Sequence, residues 1–158
     1  MRILSLFSEM PRLPGPGAAS RVFCMMRELS RKHSFTLVTT QIDQRAHIPA
    51  LEAAGVRVEM VEPARAVPGA FARLLERNYR ARMLRGILFG KPAELALHPE
   101  TMARLKGRIT DLLREKYDLL EVHHAWCARW IEGVRVGVPM VAVLYDAMSQ
   151  VYRRACER

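Results

Sequence analysis

Hydrophobic and polar positions along this chain follow two alternating rhythms, one of short apolar runs and one of longer amphipathic stretches. Residues 2–7 (Arg-Ile-Leu-Ser-Leu-Phe) form a compact apolar run and predict a buried strand. Pro11, Pro14, Gly15, Pro16 and Gly17 turn the next segment into a loop. From Ala18 the spacing becomes helical: Val22, Met26 and Leu29 share one face with Phe23 beside them, while Arg21, Glu28, Arg31 and Lys32 lie elsewhere. Residues 35–40 predict a second strand, residues 49–54 a short helix closed by Gly55, and residues 56–61 a third, alternating strand.

The rhythm then changes. Residues 68–89 carry a long basic helical pattern, interrupted by Gly90-Lys91-Pro92, and a further helix is expected over residues 100–116. Residues 118–123 predict a fourth strand, residues 125–135 a helix and residues 137–139 a turn. Residues 140–145 form a continuous apolar fifth strand, the pattern expected when both faces are covered. A last helix is expected from Met148. Strand and helix in alternation predict an α/β fold: one doubly wound, Rossmann-like domain with a parallel sheet and right-handed crossovers. With strand order 3-2-1-4-5, the ligand crevice falls between the first and fourth strands, at the carboxyl ends of the sheet. It recruits residues 9–19 and 123–126.

Composition narrows the class. The 158 residues suit one domain, and 50% hydrophobic with 26% charged residues is enough to bury a core. No run reaches the roughly 20 apolar residues of a membrane span, and the amino-terminal apolar stretch is shorter than a signal peptide requires. Cys24, Cys127 and Cys156 are few and far apart, so neither a disulfide framework nor a zinc ribbon is expected. The expected location is the cytoplasm, with peripheral attachment to the inner face of the membrane as a variant of it. The formal charge of +9 favours phosphate-bearing ligands, nucleic acid or an anionic membrane. Arginine supplies 21 of the 25 basic residues, a bias that GC-rich coding alone produces.

Three segments carry candidate chemistry. The first is Gly15-Pro16-Gly17-Ala18-Ala19-Ser20, which leads into a helix whose free N–H groups and dipole attract an anion. No Gly-Lys-Ser/Thr follows, so it is not a Walker A loop, and the third glycine of a dinucleotide fingerprint is missing. An ordinary connecting loop has the same composition. The second is the pair His123 and His124 at the end of the fourth strand, suited to hydrogen bonding a ligand hydroxyl near neutral pH. Neighbours on a strand point to opposite faces, so one of the two faces the ligand and a His-His metal chelate is disfavoured. Capping of the next helix is the structural alternative. The third is Asp146, which either holds a ligand hydroxyl or caps the last helix.

Other residues read as structural. Glu9 and Arg12 sit in the first loop, where they either touch substrate or, as expected, stay solvated charges; His33, His47 and His98 are expected to be surface residues and Cys24 a packed one. Cys127 and Cys156 have no base nearby in sequence, which argues against a thiol nucleophile. Within residues 71–89, Phe71, Leu75, Tyr79, Met83 and Ile87 repeat every fourth position among Arg73, Arg77, Arg80, Arg82 and Arg85. Such a helix either lies on an anionic membrane or packs its stripe on its own domain. Its aromatic residues do not interleave with the basic ones, so nucleic acid is not an expected partner.

Taken in order, these segments resemble a known family. Residues 2–11, the Gly-rich loop and Ser20-Arg-Val-Phe-Cys-Met-Met-Arg-Glu-Leu-Ser-Arg-Lys-His33 look like the amino-terminal half of GT-B-type glycosyltransferases. Tyr117-Asp-Leu-Leu-Glu-Val-His-His124 and Gly137-Val-Pro-Met-Val-Ala-Val-Leu-Tyr-Asp146 are similar to strand motifs of retaining glycosyltransferase family 4. The likeness runs over nearly the whole chain and rests on the succession of moderately specific motifs. It departs from the family at Glu121 and Tyr145, where histidine is frequent.

The resemblance implies two Rossmann-like domains facing a cleft, with the acceptor held mainly by the amino-terminal half. It implies that Gly15, Gly17 and Ala18 approach the diphosphate of a nucleotide-sugar. His123 is then the catalytic histidine beside the transferred sugar, with His124 as the substitute, and Asp146 is a substrate contact. No metal and no organic cofactor is implied. The partners expected are a nucleotide-sugar donor, a glycan or lipid-linked acceptor and a carboxyl-terminal donor-binding domain. With that half missing, this domain alone is expected to be nearly inactive. Two rival expectations remain: a non-enzymatic module that binds a partner subunit or an anionic membrane, and a nucleotide-binding enzyme of another kind, such as a dehydrogenase.

Overall fold

The computed structural model describes residues 1–40, 42–62 and 99–144. The basic pattern of residues 68–89, Asp146 and the helix expected from Met148 lie outside the described residues.

Five strands form one parallel sheet: β1 (Arg2–Leu6), β2 (Ser34–Thr39), β3 (Val56–Met60), β4 (Leu119–His123) and β5 (Met140–Val143), in the order β3-β2-β1-β4-β5. The connections include α1 (Gly17–Leu29), α2 (Ile48–Ala53) and α3 (Pro99–Arg114), with two 3-10 segments, Ile42–His47 and Ala125–Ile131. The chain is thus an α/β, Rossmann-like domain, as the alternation predicted, and the strand order is the one on which the crevice between β1 and β4 depends. Among the described residues no helix is long and apolar enough to cross a membrane.

Side-chain alternation along each strand supplies two cores. On one face Leu4, Leu6, Val38, Leu120 and Val122 pack against Leu105, Ile109 and Leu112 of α3, with Trp130 and Cys127. The other face packs Ile3, Phe7, Phe35, Leu37 and Val56 against Val22, Phe23 and Met26 of α1 and Leu51 of α2. Helix α1 buries Val22, Phe23 and Met26 of the stripe expected from its periodicity, together with Ala19, but its last residue Leu29 is exposed; Leu51 is the buried residue of the short α2.

Two elements differ from expectation. The helix expected over residues 125–135 is a 3-10 segment that stops at Ile131, and Gly133 turns the chain at φ +78°. The fifth strand, expected to be covered on both faces, leaves Met140 and Val141 55% and 46% exposed. It forms one edge of the sheet, where a strand has a single neighbour and so fewer elements to bury it. The opposite edge is guarded by charge: Arg57 on β3 meets Glu59 and Glu115, and Arg108 of α3 reaches Glu59 at 2.7 Å.

Candidate functional site

Parallel pairing of β1 with β4 brings the loops that follow them to one rim of the sheet. The trp and carboxylate contacts are direct. Trp126 Nε1 donates to Ser8 Oγ at 2.8 Å, and His124 Nε2 lies 4.0 Å from Glu9 Oε1. The chain therefore places the first loop and the end of β4 side by side at the strand-order reversal, the usual ligand position in such sheets.

Below this rim is a polar cluster in an otherwise apolar face. The register sets Ser5 opposite Glu121, and the two-residue period puts His123 on the same face as Glu121. Ser5 Oγ donates to Glu121 Oε2 at 2.5 Å, and His123 Nε2 lies 3.0 Å from the same oxygen and 3.2 Å from Ser5 Oγ. Burial pushes the Glu121 carboxyl upward, but the His123 imidazole and the Ser5 hydroxyl more than offset it and hold the group below the usual carboxylate range. The cluster is not a nucleophilic triad. Serine and carboxylate meet the same imidazole nitrogen, whereas a relay needs them on opposite nitrogens, and Ser5 is fully buried.

His123 and His124 part company as the strand-face argument required, but in an unexpected way. His123 is fully buried beside Phe7, with ring centroids 5.2 Å apart. His124 is partly exposed. Its N–H still pairs with the Val143 carbonyl at 2.9 Å, and its backbone then turns to φ +68°, ψ 144°. Few residues other than glycine adopt such angles, at a cost of about 1–3 kcal/mol, and they concentrate at functional sites. The turn seats the imidazole in an aromatic column, parallel to Trp126 at 4.2 Å and to Phe7 at 5.4 Å.

The Gly-rich loop closes around its own backbone before α1 begins. Arg12 N–H donates to the Ala19 carbonyl, and Ser20 Oγ donates to the Gly15 carbonyl at 2.8 Å. Arg12 also donates to the Gln44 side chain, so it is a tether within the loop and not the solvated charge expected of it. A Cβ on Gly15 would stand 2.9 Å from the Arg12 carbonyl oxygen, while one on Gly17 would meet nothing within 4 Å. Gly15 is thus required by close backbone approach, whereas a side chain at Gly17, the first residue of α1, would meet open space. That turn contains no acidic side chain and no side-chain cap, so nothing competes there for its dipole.

No protein-family model, curated protein or solved structure matches the chain. What the site can do therefore follows from its own residues. Burial pushes the Cys127 thiol up to about 12, which keeps it protonated at neutral pH and removes it as a nucleophile. Among the described residues no three His, Cys, Asp or Glu side chains are arranged to hold a metal ion. The partners of His123 went unforeseen, although the sequence holds a trace of them: Ser5 and Glu121 are the polar residues that interrupt two apolar strands. Only pairing register could show that they meet.

Proposed function

We propose that the chain is the amino-terminal, acceptor-side half of a GT-B-type glycosyltransferase that moves a sugar from a nucleotide-sugar to a glycan or lipid-linked hydroxyl. The observation that carries this reading is the junction of the two loops at the β1/β4 reversal, with the strained His124 between Glu9 and Trp126. It is supported by the order of the sequence motifs that end in this junction.

In this reading the donor diphosphate lies over the first turn of α1, beside Gly17 and Ala18, where the space around Gly17 is open and no acidic side chain or side-chain cap competes for the helix dipole. Transfer breaks the bond from the sugar to the diphosphate and forms one to the acceptor oxygen, whose proton passes to the departing diphosphate. The diphosphate gains negative charge as it leaves, and the α1 dipole stabilises that charge. His124, partly exposed at the rim, takes the catalytic place beside the transferred sugar, and His123, expected in that role, is fully buried beneath it and held by Glu121 and Ser5. Asp146 remains a substrate contact of the proposal. A second, carboxyl-terminal domain supplies the nucleotide pocket, so this domain by itself turns over little substrate.

Calorimetric titration with inorganic pyrophosphate, UDP and NAD tests the reading. The expected result is weak binding of pyrophosphate and UDP that falls several-fold in Gly17→Ala with no change in melting temperature. Tight NAD binding, or pyrophosphate binding indifferent to Gly17→Ala, overturns it.

A further inference from the structure

Trp126 packs on one side against the core beneath α3 and on the other reaches the rim. The chain's other tryptophan, Trp130, is only 3% exposed and belongs to the core beneath α3. Trp126 is partly exposed, yet it is held firmly: its N–H is tied to Ser8 Oγ, and one ring face lies parallel to His124 at 4.2 Å and 11°. His124 is itself backed by Phe7, so three rings form a column running from the core to the rim. Glu9, its side chain 32% exposed, brings a carboxylate to within 4.0 Å of the same histidine.

We infer that Trp126 and Glu9 form a subsite for a pyranose ring. Pyranoses have an apolar face of C–H groups and a perimeter of hydroxyls. The C–H face suits an aromatic surface, whose π-cloud attracts weakly positive hydrogens, and a carboxylate accepts two hydroxyl hydrogen bonds at the perimeter. An indole immobilised before binding loses little entropy when a ring settles on it, which is what the Ser8 bond and the His124 stack provide. The cost of the left-handed backbone at His124 thereby acquires a purpose: it sets the imidazole flat against the indole. The inference deepens the sugar-transfer reading and rests on it for the ring being that of a substrate.

The test is a titration of the chain with methyl glycosides of glucose, galactose, mannose and N-acetylglucosamine, followed by the NMR signals of the two indole N–H groups. The Trp126 signal is assigned by its disappearance in Trp126→Phe. The expected result is that at least one glycoside shifts the Trp126 indole and leaves that of Trp130 in place. Affinity falls about tenfold in Trp126→Leu, a loss of about 1.4 kcal/mol, falls less in Trp126→Phe, and drops several-fold in Glu9→Gln. No glycoside shift at Trp126 in the wild-type chain overturns the inference without need of any variant. So does a shift caused by tetramethylammonium and by none of the glycosides, which marks a cation site instead. Glycoside binding without pyrophosphate or UDP binding keeps the pyranose subsite and removes the transfer reading; the reverse removes the subsite alone.

Discussion

The two faces of the sheet are built to different ends. Under α3 the face is apolar from β2 to β4, and its buried polar contact, Tyr117 Oη donating to Thr36 Oγ1 at 3.0 Å, is satisfied side chain to side chain. Under α1 the apolar packing stops at the β1/β4 boundary, where Ser5, Glu121 and His123 replace the expected aliphatic residues. Burying a carboxylate is costly unless it is paired and hydrogen-bonded, so this face gives up stability where the other accumulates it. Proteins tolerate such clusters chiefly where they position functional groups, and this one lies directly below the His124 and Trp126 rim.

Substitutions can break that contrast, beginning with the largest. Leu120→Ala removes a fully buried side chain from the α3 face and is expected to cost about 2–5 kcal/mol in denaturant unfolding, with no specific effect on ligand binding. Glu121→Ala, on the other face, strands Ser5 and His123 and is expected to cost about 1–3 kcal/mol. The two also differ in their response to pH. The Glu121 carboxyl is held below its ordinary value, so its contribution is present above about pH 4.3 and is lost as the pH falls through the folded-state value. The stability gap between wild type and Glu121→Gln should close as the pH falls through and below the ordinary carboxylate range, whereas that of Leu120→Ala should not. A gap that is flat across this range would mean that the Glu121 partnership contributes nothing.

The strained rim gives a smaller effect with an unusual sign. In most positions alanine is more stable than glycine by roughly 0.5–1 kcal/mol. At position 124 both substitutions remove the imidazole, but only glycine relieves the positive φ, so His124→Gly is expected to be the more stable of the two by about 1 kcal/mol. The reverse order, measured by thermal melting, would show that the backbone there is relaxed. The loop glycines give the smallest and most local contrast. Gly15→Ala must push against the Arg12 carbonyl and is expected to cost about 1 kcal/mol, whereas Gly17→Ala should leave stability within a few tenths. Equal costs at both positions would refute the close-approach reading of Gly15.

The strands were legible because their apolar runs are short and separated by clear loop signals. Parallel crossovers imply a doubly wound sheet without fixing its strand order; the order 3-2-1-4-5 entered as a condition, and since the sheet has it, both loops fall on one rim. The 3-10 segment after β4 was read as a longer helix, since periodicity reports an apolar stripe and not the pitch that carries it. The exposure of β5 was missed for a related reason: a continuous apolar run looks the same at an edge as at the centre of a sheet. Of the site, the histidine pair and the glycine loop stood out as residue types in telling places; Glu9 and Trp126 fell within the recruited loops, but no pattern showed that His124 joins them.

The amino-acid sequence by itself determined the alternation of strands and helices, the parallel sheet and the rim to which the loops belong, because those depend on local periodicity and on the handedness of crossovers. Tertiary structure alone decided which histidine is buried, that Glu121 and Ser5 hold it, and that Trp126 stacks on its neighbour. Strand register brings Ser5 to Glu121 and His123 from more than a hundred positions away, and one left-handed backbone turn sets His124 against Trp126; neither is encoded in any local pattern.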